Sequence, residues 1–171
     1  MQRVYLISGP LGVGKTTTTK ALAQKVKGTK LVEGDVLLHA LNKNESLTWE
    51  EKLKLSWKKI LSLTQTHLKK GSNVAIDFVV EEELAWFCKQ IAGNDVVIKY
   101  VVLMTNKDNI VKRLRQRKEL KYLDRSLVLL KKLKASSENV RHFYDNTRKK
   151  VPDVVADIIT SKRFIVKNTG K

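Results

Sequence analysis

RVYLISGPLGVGKTTTTK, residues 3–20, decides the fold. It opens with a short apolar, β-rich run, RVYLIS (3–8), passes through three glycines, and continues into TTTTKALAQKVKG (16–28). There Leu22, Ala23 and Val26 share one helical face, and Gly28 offers a stop. Gly9, Gly14, Lys15 and Thr16 satisfy G-x-x-x-x-G-K-[ST] in the strand–loop–helix context that the pattern requires. Glycine reaches backbone angles closed to other residues, so the chain can wrap closely round an anion. Successive N–H groups and the helix N-terminus then point at it. A lysine at this place bridges β- and γ-phosphates, and the following hydroxyl ligates Mg²⁺. Thr17 is placed to donate to an α-phosphate, whereas Thr18 and Thr19 are expected on the helix surface.

Working outward, KLVEGD (30–35) reads as a second strand and VLLHALN (36–42) as a short helix. LTWEEKLKLSWKKILSLTQTHLKKG (47–71) is the clearest helix, with Thr48 and Glu51 spaced as a capping box and an apolar stripe from Leu53 to Leu68. NVAIDFVV (73–80) reads as a buried strand, and EEELAWFCKQIAG (81–93) as a helix whose three acids suit its positive end. DVVIKYVVLM (95–104) follows as a strand and NKDNIVKRLRQRK (106–118) as a helix capped by Thr105. DRSLVLLKKLKAS (124–136), with Asp124 as its cap, and ENVRHFYDNTRKK (138–150) read as two more helices. VVADIIT (154–160) reads as the last core strand and RFIVKN as a short edge strand. Strands alternating with helices predict an α/β fold: a three-layer α/β/α sandwich on a mostly parallel five-stranded sheet.

The 171 residues suffice for one domain with a real core. No run approaches 18 apolar residues, so no membrane span is expected, and the apolar start is too short for a signal peptide; a cytoplasmic location follows as the default. Cys88, the single cysteine, reads as a buried thiol. The net charge is +17, and residues 107–150 carry 15 Lys and Arg against 5 Asp and Glu. Such a segment suits anionic small molecules, nucleic acid or plain solvation.

Among phosphate-loop proteins, a GTPase is disfavoured: in TNKDN (105–109) the aspartate comes one residue early for a guanine-reading N-K-x-D, and no D-x-x-G lies between the second and third strands. A motor or AAA-type ATPase needs more chain and an acidic pair at a strand end, where this chain has Asp77-Phe78. In length and element order the whole chain instead resembles the small P-loop kinases, the nucleotide, shikimate and gluconate kinase-like phosphotransferases. Three places carry the resemblance: GPLGVGKT (9–16), EGDVLLH (33–39) and RLRQRK (113–118). The chain lacks the D-G-F-P-R of nucleotide kinases and the glycine triplet of shikimate kinases after the third strand.

The resemblance implies a site. Gly9, Gly12, Val13, Gly14, Lys15, Thr16, Thr17 and Arg113 would contact ATP, with Mg²⁺ on Thr16 and Asp35. Asp35 would orient the acceptor hydroxyl as a base or hold the metal; a helix N-cap is its plain alternative. Asp77 reads equally as a metal-side carboxylate, a substrate contact or a buried structural acid, and His39 as a wall of the acceptor pocket. Arg113 and Arg117 share a helix face, and Arg117 and Arg125 would act on the transferring phosphoryl. A short lid over about 117–125 would close the site in a single kinase-like domain, and Thr160 and Ser161 would pass the adenine. The expected function is transfer of the γ-phosphoryl of Mg-ATP to a hydroxyl of a small metabolite, such as a sugar acid, nucleoside, nucleotide or antibiotic, by a monomer or homodimer. Two alternatives stand beside it: a polynucleotide 5′-hydroxyl kinase, and a nucleotide-dependent binding protein without transfer activity. Sparse aromatics, 6% of the chain, weigh against a nucleic-acid acceptor.

Overall fold

Five short β-rich runs pair side by side in the computed structural model, which describes residues 1–91 and 95–166. They are β1 (Gln2–Ser8), β2 (Thr29–Glu33), β3 (Asn73–Asp77), β4 (Val96–Met104) and β5 (Phe143–Asp145), in the order β2-β3-β1-β4-β5. Every ladder is parallel; one isolated antiparallel bridge joins Lys99 and Ile165. Parallel strands need crossovers, and among the described residues α1 (Lys15–Lys25), α2 (Gly34–Asn42), α3 (Trp49–Lys69), α4 (Leu84–Ile91), α5 (Lys107–Gln116) and α6 (Leu123–Ala135) supply them, while α7 (Val151–Thr160) follows the last strand.

Side-chain alternation along the central strands feeds two cores. Val4, Leu6, Val74, Ile76, Tyr100 and Val102 point to one face, against Trp57 and Ile60 of α3 and Phe87 of α4. Tyr5, Ile7, Ala75, Val101 and Leu103 point to the other, against Leu22 of α1, Ile110 and Leu114 of α5 and Ile158 of α7. Each fully buried Val, Leu, Ile or Phe among these contributes about 1.5–3 kcal/mol. The three-layer α/β/α sandwich predicted from the alternation is thus the fold. The sheet's carboxyl edge gathers the ends of β1, β3 and β4 beside the glycine loop, because Ile7 pairs with Asp77 and Ser8 with Val102.

Several element boundaries differ from the sequence reading. The third strand stops at Asp77 rather than Val80: Phe78 N still donates to Ile7 O, but Val80 N turns to the buried Ser8 hydroxyl at 2.9 Å and leaves the sheet. The three acids 81–83 precede α4 instead of opening it, with Glu83 Oε2 accepting from the N–H groups of Glu81 and Glu82; the sequence-predicted end of this helix at 92–93 lies outside the described residues. Helix α3 carries the expected capping box. Helix α5 is capped by Asn106 rather than Thr105, and Asp124 sits in the first turn of α6 without capping it. Thr18 and Thr19, expected on the surface, are buried, and Thr19 Oγ1 donates to Lys15 O.

The largest corrections fall between 138 and 160. Residues 138–150 are not a helix. A 3₁₀ turn over 137–142 leads into the three-residue β5, with buried His142 placing Nδ1 3.0 Å from Tyr100 O. VVADIIT is helix, not strand: Val151, Val154, Val155, Ile158 and Ile159 repeat at helical spacing against the second core, and Pro152 occupies the first turn. The edge strand expected in RFIVKN is reduced to the single bridge at Ile165, preceded by a 3₁₀ turn over 162–164; residues 167–168 of that stretch lie outside the described residues.

Candidate active site

The glycine loop has the conformation its composition demands. Gly9, Gly12 and Gly14 have φ of 141°, 84° and 94°. A Cβ on Gly9 would stand 2.5 Å from Leu103 O, so the loop can lie against β4 only without one. Gly14 is the N-cap of α1; no side chain caps this helix and no acid lies in its first turn. Its first N–H groups and positive end therefore face the loop with no internal anion to serve them.

Lys15 is buried, and Nζ donates to Pro10 O at 3.0 Å. Burial pushes the ammonium below the usual lysine range; Asp77 and Asp35 oppose that shift and Arg117 adds to it. Thr16 Oγ1 donates to Asp77 Oδ2 at 2.5 Å across the end of β3. Burial raises the Asp77 carboxyl, against the pull of Lys15 and the Thr16 bond. Asp77 Oδ1 is buried with no partner. A buried carboxylate oxygen without a donor, next to a hydroxyl and a buried ammonium, is a charge arrangement completed by a hard cation with its phosphate oxygens. The residues present thus fit a Mg²⁺–nucleotide phosphate group. Among the described residues no cluster of three or more His, Cys, Asp and Glu side chains could hold a metal without such a ligand.

Asp35 lies in the first turn of α2, exposed, and lines a cavity of about 480 Å³ that also reaches Lys15. Glu33 faces the opposite way and pairs with Lys20 at 3.0 Å. Between them Gly34 packs on Phe78 so closely that a Cβ would lie 2.3 Å from the ring. This contact sets α2 against the strand end and brings Asp35 to the cleft. Asp35, Leu38 and Asn42 form the lining face of α2; His39 is exposed and stands outside the lining.

Arg113 Nη1 donates to Gly12 O at 3.1 Å, bracing the loop from α5. Arg117 is the exposed C-cap residue of the same helix, near enough to Lys15 and Arg113 to depress both. Arg125 stacks on Trp49, with its guanidinium carbon 4.9 Å from the ring centroid, and both line the cavity. Val13 is buried, and Thr17 is exposed on the first turn of α1. The structure therefore places Thr16 and Asp77 together beside Lys15, Asp35 and Arg125 on the cavity that Lys15 also lines, and Arg113 and Arg117 on the α5 flank of the loop.

Sequence reasoning missed the turn after β5. Asn146 Nδ2 donates to Val13 O at 2.8 Å, and Asp145 Oδ1 accepts from Thr147 N. Asn109 Nδ2 donates to Thr147 O and Thr105 Oγ1, while Asn106 N donates to Thr147 Oγ1. TNKDN (105–109) is thus a brace for this turn. The available signal was Asp-Asn-Thr followed by Pro152, a turn-and-helix-start composition. Thr160 and Ser161, expected to pass the adenine, lie at the end of α7: Thr160 Oγ1 donates to Ala156 O, and Ser161 O accepts from Lys99 in the first half of β4. Ser126, also missed, is buried and donates to Leu11 O at 2.6 Å, tying α6 to the loop. Cys88 is a buried free thiol whose pKa burial pushes up to about 11.

A glycine cradle at the mouth of a five-stranded parallel sheet, with a buried lysine and a threonine bonded to a strand-end aspartate, defines a P-loop protein of kinase fold. The chain belongs to a P-loop family described as AAA domain, whose model matches residues 4–143. In this chain Phe78, not a glutamate, follows Asp77 at the end of β3. Among solved structures it is similar to a tunicamycin resistance protein of Deinococcus radiodurans, at 18% identity and TM-score 0.69, covering 92% of this chain and 94% of that one. It is similar to a gluconokinase of Sinorhizobium meliloti, at 15% identity and TM-score 0.62, covering 92% and 89%. It also resembles part of a Pnkp1/Rnl/Hen1 RNA repair complex, at 18% identity and TM-score 0.60, covering 76% of this chain and 44% of that one. Comparison with curated protein sequences gives no significant match. Among the described residues no helix is long and apolar enough to cross a membrane.

Proposed function

We propose that this protein is a cytoplasmic ATP-dependent phosphotransferase that moves the γ-phosphoryl of Mg-ATP to a hydroxyl of a small molecule. One observation carries the reading: Lys15 and Asp35 line the same cavity, so the space for an acceptor opens directly on the phosphate loop. Gly9, Gly12, Val13, Gly14, Lys15, Thr16 and Thr17 would hold the phosphates, and Arg113 and Arg117 would neutralise them from α5. Thr16 and Asp77 would hold Mg²⁺, with Asp35 on its acceptor side. Bound there, the ion neutralises charge on the β- and γ-phosphate oxygens. Asp35 orients the acceptor hydroxyl. Its oxygen bonds to the γ-phosphorus, the bond to the β–γ bridging oxygen breaks with its electron pair leaving on ADP, and the hydroxyl proton passes to Asp35. Residues 117–125 form the lid, which excludes water from the reacting oxygen and so suppresses ATP hydrolysis.

The test is acceptor-dependent ADP release across sugars, sugar acids, nucleosides, nucleotides and aminoglycosides, with wild type and Lys15→Ala. The reading expects at least one small acceptor to respond and Lys15→Ala to lose the response. Likeness to part of an RNA repair complex, with the basic segment 107–150, favours a second reading, transfer to a polynucleotide 5′-hydroxyl. A response to 5′-hydroxyl DNA or RNA with none to small acceptors would replace the first reading with the second. Binding of ATP with no acceptor response at all would leave a nucleotide-dependent binding protein.

A further inference from the structure

The acceptor cavity has apolar walls. Opposite Lys15 and Asp35 it is lined by Leu38 of α2, Trp49 and Leu53 of α3, Phe78 after β3, and Leu129 of α6. Trp49 is 45% exposed, and the neighbouring Trp86 is 38% exposed. Trp49 and Leu53 also line an adjoining second hollow of about 610 Å³, which Trp57 and Trp86 border. Each part of this groove is of the size that buries a drug-sized molecule, roughly 300–1,000 Å³. A hydrophilic sugar acid would fill a fraction of it and leave the aromatic walls wet.

The charges point the same way. The cavity's cations are Lys15, Arg125 and Lys132. Lys15 faces the phosphate loop and bonds Pro10 O. Arg125 is stacked on Trp49, and Lys132 Nζ pairs with Glu81 Oε1 at 3.0 Å. Asp35, Glu81 and Glu83 balance these three cations, and the second hollow adds Glu50 and Glu82 against Lys54 and Lys58. In a chain of net charge +17, this groove is formally neutral, with as many carboxylates as cations on its walls. A carboxylate or phosphate on the acceptor would meet no net positive charge along the groove to offset its loss of water in a partly desolvated site.

We infer that the phosphoryl acceptor is a non-anionic alcohol carried on an apolar, ring-bearing body: its hydroxyl lies at Asp35, and its body lies along Trp49, Leu53, Phe78 and Leu129. This rests on the phosphotransferase reading and narrows it, excluding sugar acids and phosphorylated sugars or nucleotides as acceptors. Transfer makes the phosphate monoester of that alcohol and ADP, with the hydroxyl proton released through Asp35.

The test has two arms. In the first, 3-phenyl-1,2-propanediol, thymidine, gluconate, shikimate and thymidine monophosphate are titrated into the protein with Mg-ADP while tryptophan fluorescence is followed. The diol or the uncharged nucleoside is expected to change the emission at concentrations at least tenfold below the anions, and Trp49→Ala to remove that change. In the second, the same compounds are tested for ADP release with ATP. The expected result is turnover with an uncharged compound and a KM raised more than tenfold in Trp49→Ala and in Leu53→Asn, with the ATP-induced rise in Tm retained in both. Preferential turnover of gluconate, shikimate or thymidine monophosphate, or a KM unmoved by both substitutions, would overturn the inference while leaving phosphotransfer standing. Trp49-dependent binding of an uncharged compound without turnover would support the groove's assignment and remove the transfer step instead. No emission change and no turnover with either uncharged compound would overturn it.

Discussion

Thr16 donates its hydroxyl hydrogen to Asp77 at 2.5 Å, joining the first turn of α1 to the end of β3, while the second Asp77 oxygen stays buried without a donor. Residues from distant parts of the chain thereby share one charge centre beside Lys15. A free carboxylate oxygen in such a place costs about 1–3 kcal/mol unless something completes it.

That centre predicts a metal phenotype. Asp77→Asn keeps the shape and the Thr16 bond but removes the charge. The expected outcome is a 10–100-fold weaker Mg²⁺ dependence of ATP binding, with ATP binding in the absence of metal little changed. Titration of Mg²⁺ against the ATP-induced Tm rise measures it.

Gly9 predicts a stability phenotype. With φ of 141° and Leu103 O only 2.5 Å from where a Cβ would sit, Gly9→Ala should cost about 1–3 kcal/mol and weaken ATP binding as the loop shifts. Urea unfolding would show the loss; an unchanged midpoint would mean that β4 yields at no cost.

Lys99 is a buried amine that closes α7, donating to Ile158 O and Ser161 O at 3.0 Å and also to Ile159 O. Cations suit a helix C-terminus. Lys99→Met should leave those carbonyls without a donor and destabilise by about 1–3 kcal/mol, read as a lower unfolding midpoint. Nucleotide binding should survive, since this contact lies in the first half of β4.

His142 gives the pH dependence. Burial depresses its pKa below the usual 6.5, against a smaller opposing effect of the Tyr100 carbonyl. The unfolded chain therefore binds the proton more readily. The contribution of neutral His142 is fully present above about pH 6.5 and is lost as pH falls through the depressed folded value. Stability measured from pH 7.5 to 5 should fall more steeply in wild type than in His142→Gln.

Legibility in the sequence followed locality. Gly9, Gly14, Lys15 and Thr16 lie within eight consecutive residues, and their spacing alone defines the loop that the structure displays. The capping box at Thr48 and Glu51 was legible for the same reason. VVADIIT misled because its β-branched residues suggest a strand, while their helical spacing and Pro152 carry the stronger signal. The three-residue β5 was invisible in ENVRHFYDNTRKK, since pairing with β4 rather than local preference holds it. The acceptor cavity was the least legible feature. Asp35, Trp49, Phe78 and Arg125 come from four segments, and only folding makes them neighbours.

The central claim is that the glycine loop and Lys15 hold the phosphates of a nucleotide. Thermal unfolding with and without Mg-ATP, in wild type and Lys15→Ala, tests it most directly. At a hundredfold excess over Kd the ligand should add about 2.7 kcal/mol, roughly 5–10 °C in Tm, to wild type and nothing to the variant. No shift in wild type at millimolar Mg-ATP, or an equal shift in both proteins, would contradict the account.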